Sequence, residues 1–73
     1  MGGRDRLLRH MLRERFVVTI RSGEAFEGLL IDADEKTIRL AEPWAVAQNR
    51  RTSIDGELYL ARTEVLYLQR STT

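Results

Sequence analysis

Cysteine is absent from this 73-residue chain, and proline, tryptophan and histidine occur once each. Without cysteine the chain forms neither disulfides nor thiolate metal sites, and a single histidine cannot hold a zinc ion alone. We therefore predict no metal site and no cofactor. A chain of this length buries only a small core and needs a further source of stability. Association with other chains is the strongest remaining source of that stability.

Other absences limit the class of function. No apolar run is long enough to span a membrane, and the first residues lack the apolar segment of a secretory signal. We expect a single domain over residues 1–73 in the cytoplasm, or in the host cytoplasm if a phage encodes it. No nucleophile–base pair and no phosphate-binding glycine loop is visible, so we predict that the chain is not an enzyme.

Charge of one sign is not in excess, because 12 basic residues balance 11 acidic ones. The balance is uneven along the chain, however, since residues 1–15 carry a net charge of +3 and the remainder carries −2. Apolar residues in this basic segment recur at helical spacing and predict an amphipathic helix over 5–15. The opposite face of that helix is formed by Arg6, Arg9, His10 and Arg13.

This basic helix face has three interpretations. It is the ordinary solvated side of an amphipathic helix, a contact for a protein partner, or a surface that binds nucleic-acid phosphates. If nucleic acid binds, the regular spacing of the arginines favours this face, narrowly, over any other site in the chain.

Beyond the helix, alternating apolar residues predict five strands, at 16–21, 24–33, 37–41, 57–61 and 64–69. Ser22-Gly23 and Asp55-Gly56 are turn signals, and Gly28 within a strand indicates a bend or a close backbone approach. Residues 42–55 lack a clear period and predict a variable loop. The fold class is mainly β: an N-terminal helix followed by a strongly bent, five-stranded antiparallel small barrel.

The last two strands are apolar on both faces, so both faces should be covered. The chain is too short to cover them itself, and a neighbouring subunit is the economical explanation. The predicted subunit interface comprises Leu58, Tyr59, Leu60, Val65, Leu66, Tyr67 and Leu68.

Two stretches of the chain resemble the two motifs of the Sm/LSm/Hfq family of small ring-forming β-barrels, in a divergent form of bacterial or phage type. The first motif is matched by Val18, Ile20, Gly23, Gly28, Leu30 and Asp34. The second is matched in its apolar frame by Gly56, Leu58, Leu60, Val65 and Leu68. The resemblance implies a homo-oligomeric hexamer or heptamer ring that binds RNA or single-stranded DNA.

The resemblance also implies that two turns line the pore of such a ring. Lys36, Thr37 and Arg62 would lie there, and Asp34 would order the first turn. Charge on these residues suits phosphates and the threonine hydroxyl suits a base edge. A merely charged pore rim is the other interpretation. The chain departs from the family here: the asparagine that follows the aspartate is absent, and Ala61-Arg62 replaces the Arg-Gly pair.

Two further features carry open alternatives. Asp32, Asp34 and Glu35 suit a hard cation, but capping of a turn explains them better. Trp44 either stacks on a partner or pins its loop to the barrel. The favoured function is therefore a non-catalytic, ring-forming Sm-like protein that binds single-stranded nucleic acid. The alternative is a structural or protein-interaction module on the same fold that has lost RNA binding.

Overall fold

A computed structural model describes residues 13–71 of the chain. In this range, strands whose side chains alternate between buried and exposed form one strongly bent antiparallel sheet. Within that range no helix is long and apolar enough to cross a membrane. A 3-10 turn, Arg62–Glu64, links the last two strands. The strands are β1 (Arg15–Ile20), β2 (Ala25–Ala33), β3 (Thr37–Ala47), β4 (Arg50–Ser53), β5 (Leu58–Ala61) and β6 (Val65–Arg70).

The sheet runs in the order β4-β3-β2-β1-β6, and β5 pairs with β3. Strand β3 is long enough to hold β5 along residues 37–40 and β4 along residues 44–47. The register between β2 and β3 shifts twice, between Glu27 and Leu29 and again between Leu30 and Asp32. Each shift adds an unpaired residue and bends the strands, so the sheet curls around its own core.

The core lies inside this curl. Its buried side chains come from every strand except β4 and β6: Phe16, Val18, Leu30, Ile38, Leu40 and Leu60. Phe26 and Ile20, which alternation also points inward, are only partly buried and pack against the edge of the core. The inward side predicted for these strands is therefore the observed one.

The predicted loop over 42–55 is wrong. The structure has a hairpin there, in which β3 continues to Ala47, turns at residues 48–49 and returns as β4. Pro43 lies within β3 although proline cannot donate to a sheet ladder. It is tolerated because it lies at the first register shift, directly after Glu42, whose φ is +49°. Over residues 13–71 the sheet consequently has six strands where five were predicted.

The predicted helix over 5–15 lies mostly outside the described residues, and its last three positions are not helical. Arg13 is in a turn with a φ of +69°, and Arg15 begins β1 opposite Leu29. The amide of Arg13 donates to the carbonyl of Leu30 over 2.5 Å, and the amide of Leu30 donates to the carbonyl of Glu14 over 2.9 Å. The backbone of Arg13 and Glu14 is therefore hydrogen-bonded to β2 and not within a helix.

Candidate nucleic-acid interface

Two turns that are distant in the sequence meet at one end of the sheet. The first joins β2 to β3, and the second is the 3-10 turn between β5 and β6. The amide of Arg62 donates to the carbonyl of Lys36 over 2.8 Å. The Arg62 guanidinium donates from Nη1 to the carbonyl of Asp34 over 2.5 Å. Lys36, Thr37 and Arg62 are thus brought together, and we call these two turns the paired turns.

Asp34 holds the first of the paired turns in shape. Its Oδ1 accepts hydrogen bonds from the amides of Lys36 and Thr37, each over 2.8 Å. Its own amide donates to the carbonyl of Thr37 over 2.9 Å. Because these bonds favour the ionised carboxylate, the two backbone amides lower the pKa of Asp34, and the charges of Arg62 and Lys36 add to the effect.

Arg21 holds the second of the paired turns, a role that no sequence pattern indicated. Its Nε donates to the carbonyl of Thr63 over 2.7 Å, and its amide donates to the carbonyl of Glu64 over 2.8 Å. The position of Arg21 directly after β1 explains the contact, because β1 and β6 are paired neighbours. The 3-10 turn is therefore fixed from two sides, by Arg21 and by the turn that contains Asp34.

A row of side chains crosses three strands beside the paired turns. Register pairs Asp32 with Arg39 and Arg39 with Tyr59, so all three share one face of the sheet. That face borders a cavity of about 270 Å³, which Asp34 and Thr37 also line. The sequence analysis assigned Tyr59 to the subunit interface and not to the pore-lining turns. The alternation of side chains along β5 predicts which face of the sheet Tyr59 occupies. Only the pairing of β3 with β5 places Tyr59 beside Arg39.

The basic helix face cannot be located in the same way. Arg6, Arg9 and His10 lie outside the described residues. Arg13 is described, and it is exposed in the turn before β1. A role for this face in binding stays a prediction.

The predicted interface residues divide into two groups. Leu60 is 8% exposed and packs opposite Ile38 in the core of the same chain, so its side chain offers little surface to a neighbour. Leu58, Val65 and Leu68 are partly buried against that core. The exposed large apolar side chains are Tyr59 (60%), Leu66 (51%) and Tyr67 (53%).

The edges of the same two strands are also available. Strand β5 pairs only with β3, and β6 pairs only with β1, within residues 13–71. Each strand therefore presents a row of backbone donors and acceptors along its other edge, which is where another chain can add a strand.

The two remaining features have structural partners. Asp32 Oδ1 accepts from the amide of Ala33 over 2.9 Å, as a turn-capping carboxylate does. Residues 13–71 contain no group of three or more histidine, aspartate or glutamate side chains placed to hold a metal ion. The Arg51 guanidinium lies 5.1 Å from the centre of the Trp44 ring, so this tryptophan packs within the hairpin that replaces the predicted loop.

Comparison with known proteins identifies the fold. No protein-family model matches the chain, and no curated protein has a significantly similar sequence. Solved structures of Sm proteins do match over almost the whole chain. The chain therefore has the Sm-like fold that its two motifs predicted.

Three of these structures illustrate the match. A heptameric archaeal Sm protein is 15% identical with a TM-score of 0.82, covering 92% of this chain and 98% of its own. The SmAP1 heptamer of P. aerophilum is 14% identical with a TM-score of 0.87, covering 100% and 99%. The Sm protein of Pyrococcus abyssii in complex with a uridine heptamer is 19% identical with a TM-score of 0.80, covering 90% and 94%.

Proposed function

We propose that this chain is a non-catalytic Sm-like protein that assembles into a ring and binds single-stranded RNA at the paired turns. The observation that carries the proposal is that hydrogen bonds join the two turns. Lys36, Thr37 and Arg62 therefore lie close together and are held by the backbone. Preorganised cationic and hydroxyl groups of this kind suit phosphates and base edges.

Ring assembly follows from the free edges of β5 and β6. An edge of β5 that pairs with β6 of the next subunit makes a head-to-tail contact, and such contacts close into a ring when the rotation allows. The exposed Leu66 and Tyr67 lie on β6, where a neighbour would cover them. Two of the matching Sm proteins are heptamers, which supports a ring of six or seven subunits.

RNA binding at the paired turns has separate support. Repetition around a ring brings every copy of Lys36 and Arg62 to one strand of nucleic acid, and weak contacts add through avidity. The matching protein from Pyrococcus abyssii is in complex with a uridine heptamer. The alternative, an interaction module without RNA binding, draws its support from the missing asparagine after Asp34.

Titration of a fluorescent uridine heptamer, followed by anisotropy at several salt concentrations, tests the proposal. We expect binding that weakens steeply with salt, and replacement of Lys36 and Arg62 by glutamine should weaken binding and flatten the salt slope. Arg50→Gln, which removes one exposed positive charge at the tip of the β3–β4 hairpin, is the control for loss of charge away from the paired turns. Native mass spectrometry must show intact rings throughout, since dissociation alone would abolish avidity.

The same titration separates the competing surfaces. A triple glutamine variant of Arg6, Arg9 and Arg13 reports on the basic helix face. If this variant loses binding while the Lys36/Arg62 variant binds like the parent, the helix face is the site and the paired turns are not. A parent ring that binds no oligonucleotide at low salt establishes the interaction-module alternative instead.

A further inference from the structure

We infer that Tyr59 and Arg39 form a stacking platform for one nucleobase beside the paired turns, and that Asp32 makes this position selective for guanine. The inference rests on the proposed function, because single-stranded nucleic acid must first reach the paired turns. It adds a base-reading surface on the sheet to the phosphate-binding charges of Lys36 and Arg62.

The platform consists of two planar groups, one of which is well exposed. The guanidinium of Arg39 lies over the Tyr59 ring, 5.7 Å from its centre, while 60% of Tyr59 faces solvent. The phenol oxygen accepts from Arg39 Nη1 over 3.4 Å and donates to Glu57 Oε1 over 3.5 Å, and these long contacts keep the ring beside both side chains. Unpaired RNA bases stack on aromatic rings and on guanidinium planes of this kind.

The Arg39 guanidinium is held by ionic contacts rather than by short hydrogen bonds. Nη2 lies 3.8 Å from Asp32 Oδ2, and Nε lies 3.5 Å from Glu57 Oε1. Nε is buried and has no hydrogen-bond acceptor among residues 13–71. Small adjustments therefore let the guanidinium follow a base laid over it, at the loss of weak contacts only.

Asp32 determines which base edge fits. Its Oδ1 accepts from the amide of Ala33, whereas Oδ2 makes only the 3.8 Å contact with Arg39 among the interactions described for residues 13–71. An ionised carboxylate accepts hydrogen bonds and donates none. Guanine presents its N1–H and its 2-amino group side by side, and both can donate to one carboxylate. Uracil presents a single N–H between two carbonyl oxygens, which the carboxylate repels.

The cavity connects this platform to the proposed phosphate contacts. Its volume of about 270 Å³ lies at the small end of ligand pockets and suits a single base rather than a folded partner. Asp34 and Thr37 line the same cavity, so a base stacked on Tyr59 would belong to the nucleotide next to Lys36 and Arg62. The missing asparagine of the family is thus replaced, in this chain, by a carboxylate and an aromatic ring on the neighbouring strands.

Three alternating heptamers test the inference on the intact ring: uridine–guanosine, uridine–adenosine and uridine–inosine. Adenine stacks well but lacks the paired donors, and inosine keeps N1–H and loses the 2-amino group. We expect the guanosine heptamer to bind at least about fivefold tighter than the adenosine heptamer, with inosine between them. Asp32→Asn should abolish this order, and Glu35→Gln, which removes an equal charge from the adjacent turn, should preserve it.

The platform itself is tested by changes at Tyr59. Tyr59→Ser should weaken all three heptamers by about fivefold or more, whereas Tyr59→Phe should keep the affinity because stacking is retained. Native mass spectrometry of each variant shows whether the ring persists. If Tyr59→Ser does not assemble, the affinities of Tyr59→Phe and Asp32→Asn for the three heptamers still test the inference.

Each result decides between separate claims. Equal affinity for the guanosine and adenosine heptamers, or a guanine preference that survives Asp32→Asn, overturns the inference. Salt-dependent binding of the uridine heptamer with no guanine preference leaves the proposed function standing and removes the inference alone. A parent ring that binds none of these oligonucleotides overturns both.

Discussion

Gly28 is the residue at which the bend of the sheet depends most directly on side-chain size. A Cβ atom at this position would lie 2.9 Å from the Cβ of Leu40 and 3.2 Å from the carbonyl oxygen of Ala41. Both are parts of a paired strand that cannot move away cheaply. We expect Gly28→Ala to destabilise the fold by about 1–3 kcal/mol, as overpacking does.

Thermal melting of the Gly28→Ala variant measures this cost. Gly56→Asn is the matched control, because Gly56 has a φ of +80° and a Cβ atom added there would have no neighbour within 4 Å. Asparagine also tolerates that backbone conformation. A melting temperature for Gly28→Ala equal to that of the parent would mean that β2 and β3 are farther apart at the bend.

Asp34 gives the second residue-scale prediction, which concerns pH. Its pKa in the folded chain is lower than its ordinary value of 3.8, because the amides of Lys36 and Thr37 stabilise the carboxylate. The unfolded chain therefore binds the proton more readily. The contribution of Asp34 to stability is fully present above pH 3.8 and is lost as the pH falls through the lowered pKa.

Denaturant titrations of the parent and of Asp34→Asn between pH 7 and pH 2 measure this contribution. We expect the Asp34→Asn variant to be less stable than the parent at neutral pH, with a difference that shrinks as the solution becomes acidic. Glu35→Gln, in the same turn, serves as the control. A difference that is constant over the whole range would show that ionisation of Asp34 does not support the turn.

At the scale of elements, one buried acid ties β4 to strands with which it makes no ladder. Glu27 is 5% exposed and lies on β2. Its Oε1 accepts a hydrogen bond from Arg51 Nη2, and its Oε2 accepts one from Ser71 over 2.7 Å. Arg15 Nε lies 3.8 Å from the same Oε2. The contacts join β1, β2, β4 and the C-terminal end of the described chain around a single carboxylate.

Glu27→Gln should consequently loosen the hairpin. Neutralising the carboxylate removes charge-assisted hydrogen bonds, and we expect a loss of about 1–3 kcal/mol. Hydrogen exchange should accelerate most in residues 47–52, while the amides of β1 stay protected. Uniform acceleration over the whole sheet would contradict a local role, and unchanged exchange in the hairpin would show that Glu27 does not anchor it.

The β3–β4 hairpin also shows which strands can be predicted from the sequence and which cannot. Strands with strict alternation, such as 16–21 and 37–41, are recognisable because one face is buried and the other is not. Residues 42–55 are not, because β4 is exposed along its whole length and shows no alternation of burial. The place of Pro43 within β3 also depends on the positive φ of Glu42 and on a register shift that only the neighbouring strand reveals.

At the scale of the whole molecule, long-range pairing decides which residues form the candidate site. The turn signals around Asp34 and the family motifs predict the paired turns from the sequence. Arg21, Arg39 and Tyr59 were not predicted as part of the site, because each depends on which strands are neighbours. Leu60 depends on the same pairing: two apolar faces on β5 suggested one interface, yet the Leu60 side chain lies in the core of its own chain.

The final prediction separates that core from the proposed ring interface. Leu60 and Leu66 are the same residue type on the consecutive strands β5 and β6. Leu66 is 51% exposed, however, and Leu60 is 8% exposed. A charge on an exposed strand edge opposes pairing with another chain without disturbing the interior. We therefore expect Leu66→Asp to yield a folded monomer with a β-type circular dichroism spectrum. Leu60→Asp should unfold the chain, because an unpaired charge would be buried.

Sedimentation velocity at micromolar concentration, combined with circular dichroism, distinguishes these outcomes. Leu66→Ala is the control for lost side-chain volume and should retain the ring better than Leu66→Asp, since it introduces no charge at the strand edge. A parent that sediments as a compact monomer would contradict assembly through β5 and β6. A Leu66→Asp variant that keeps the parental ring would place the subunit contact elsewhere.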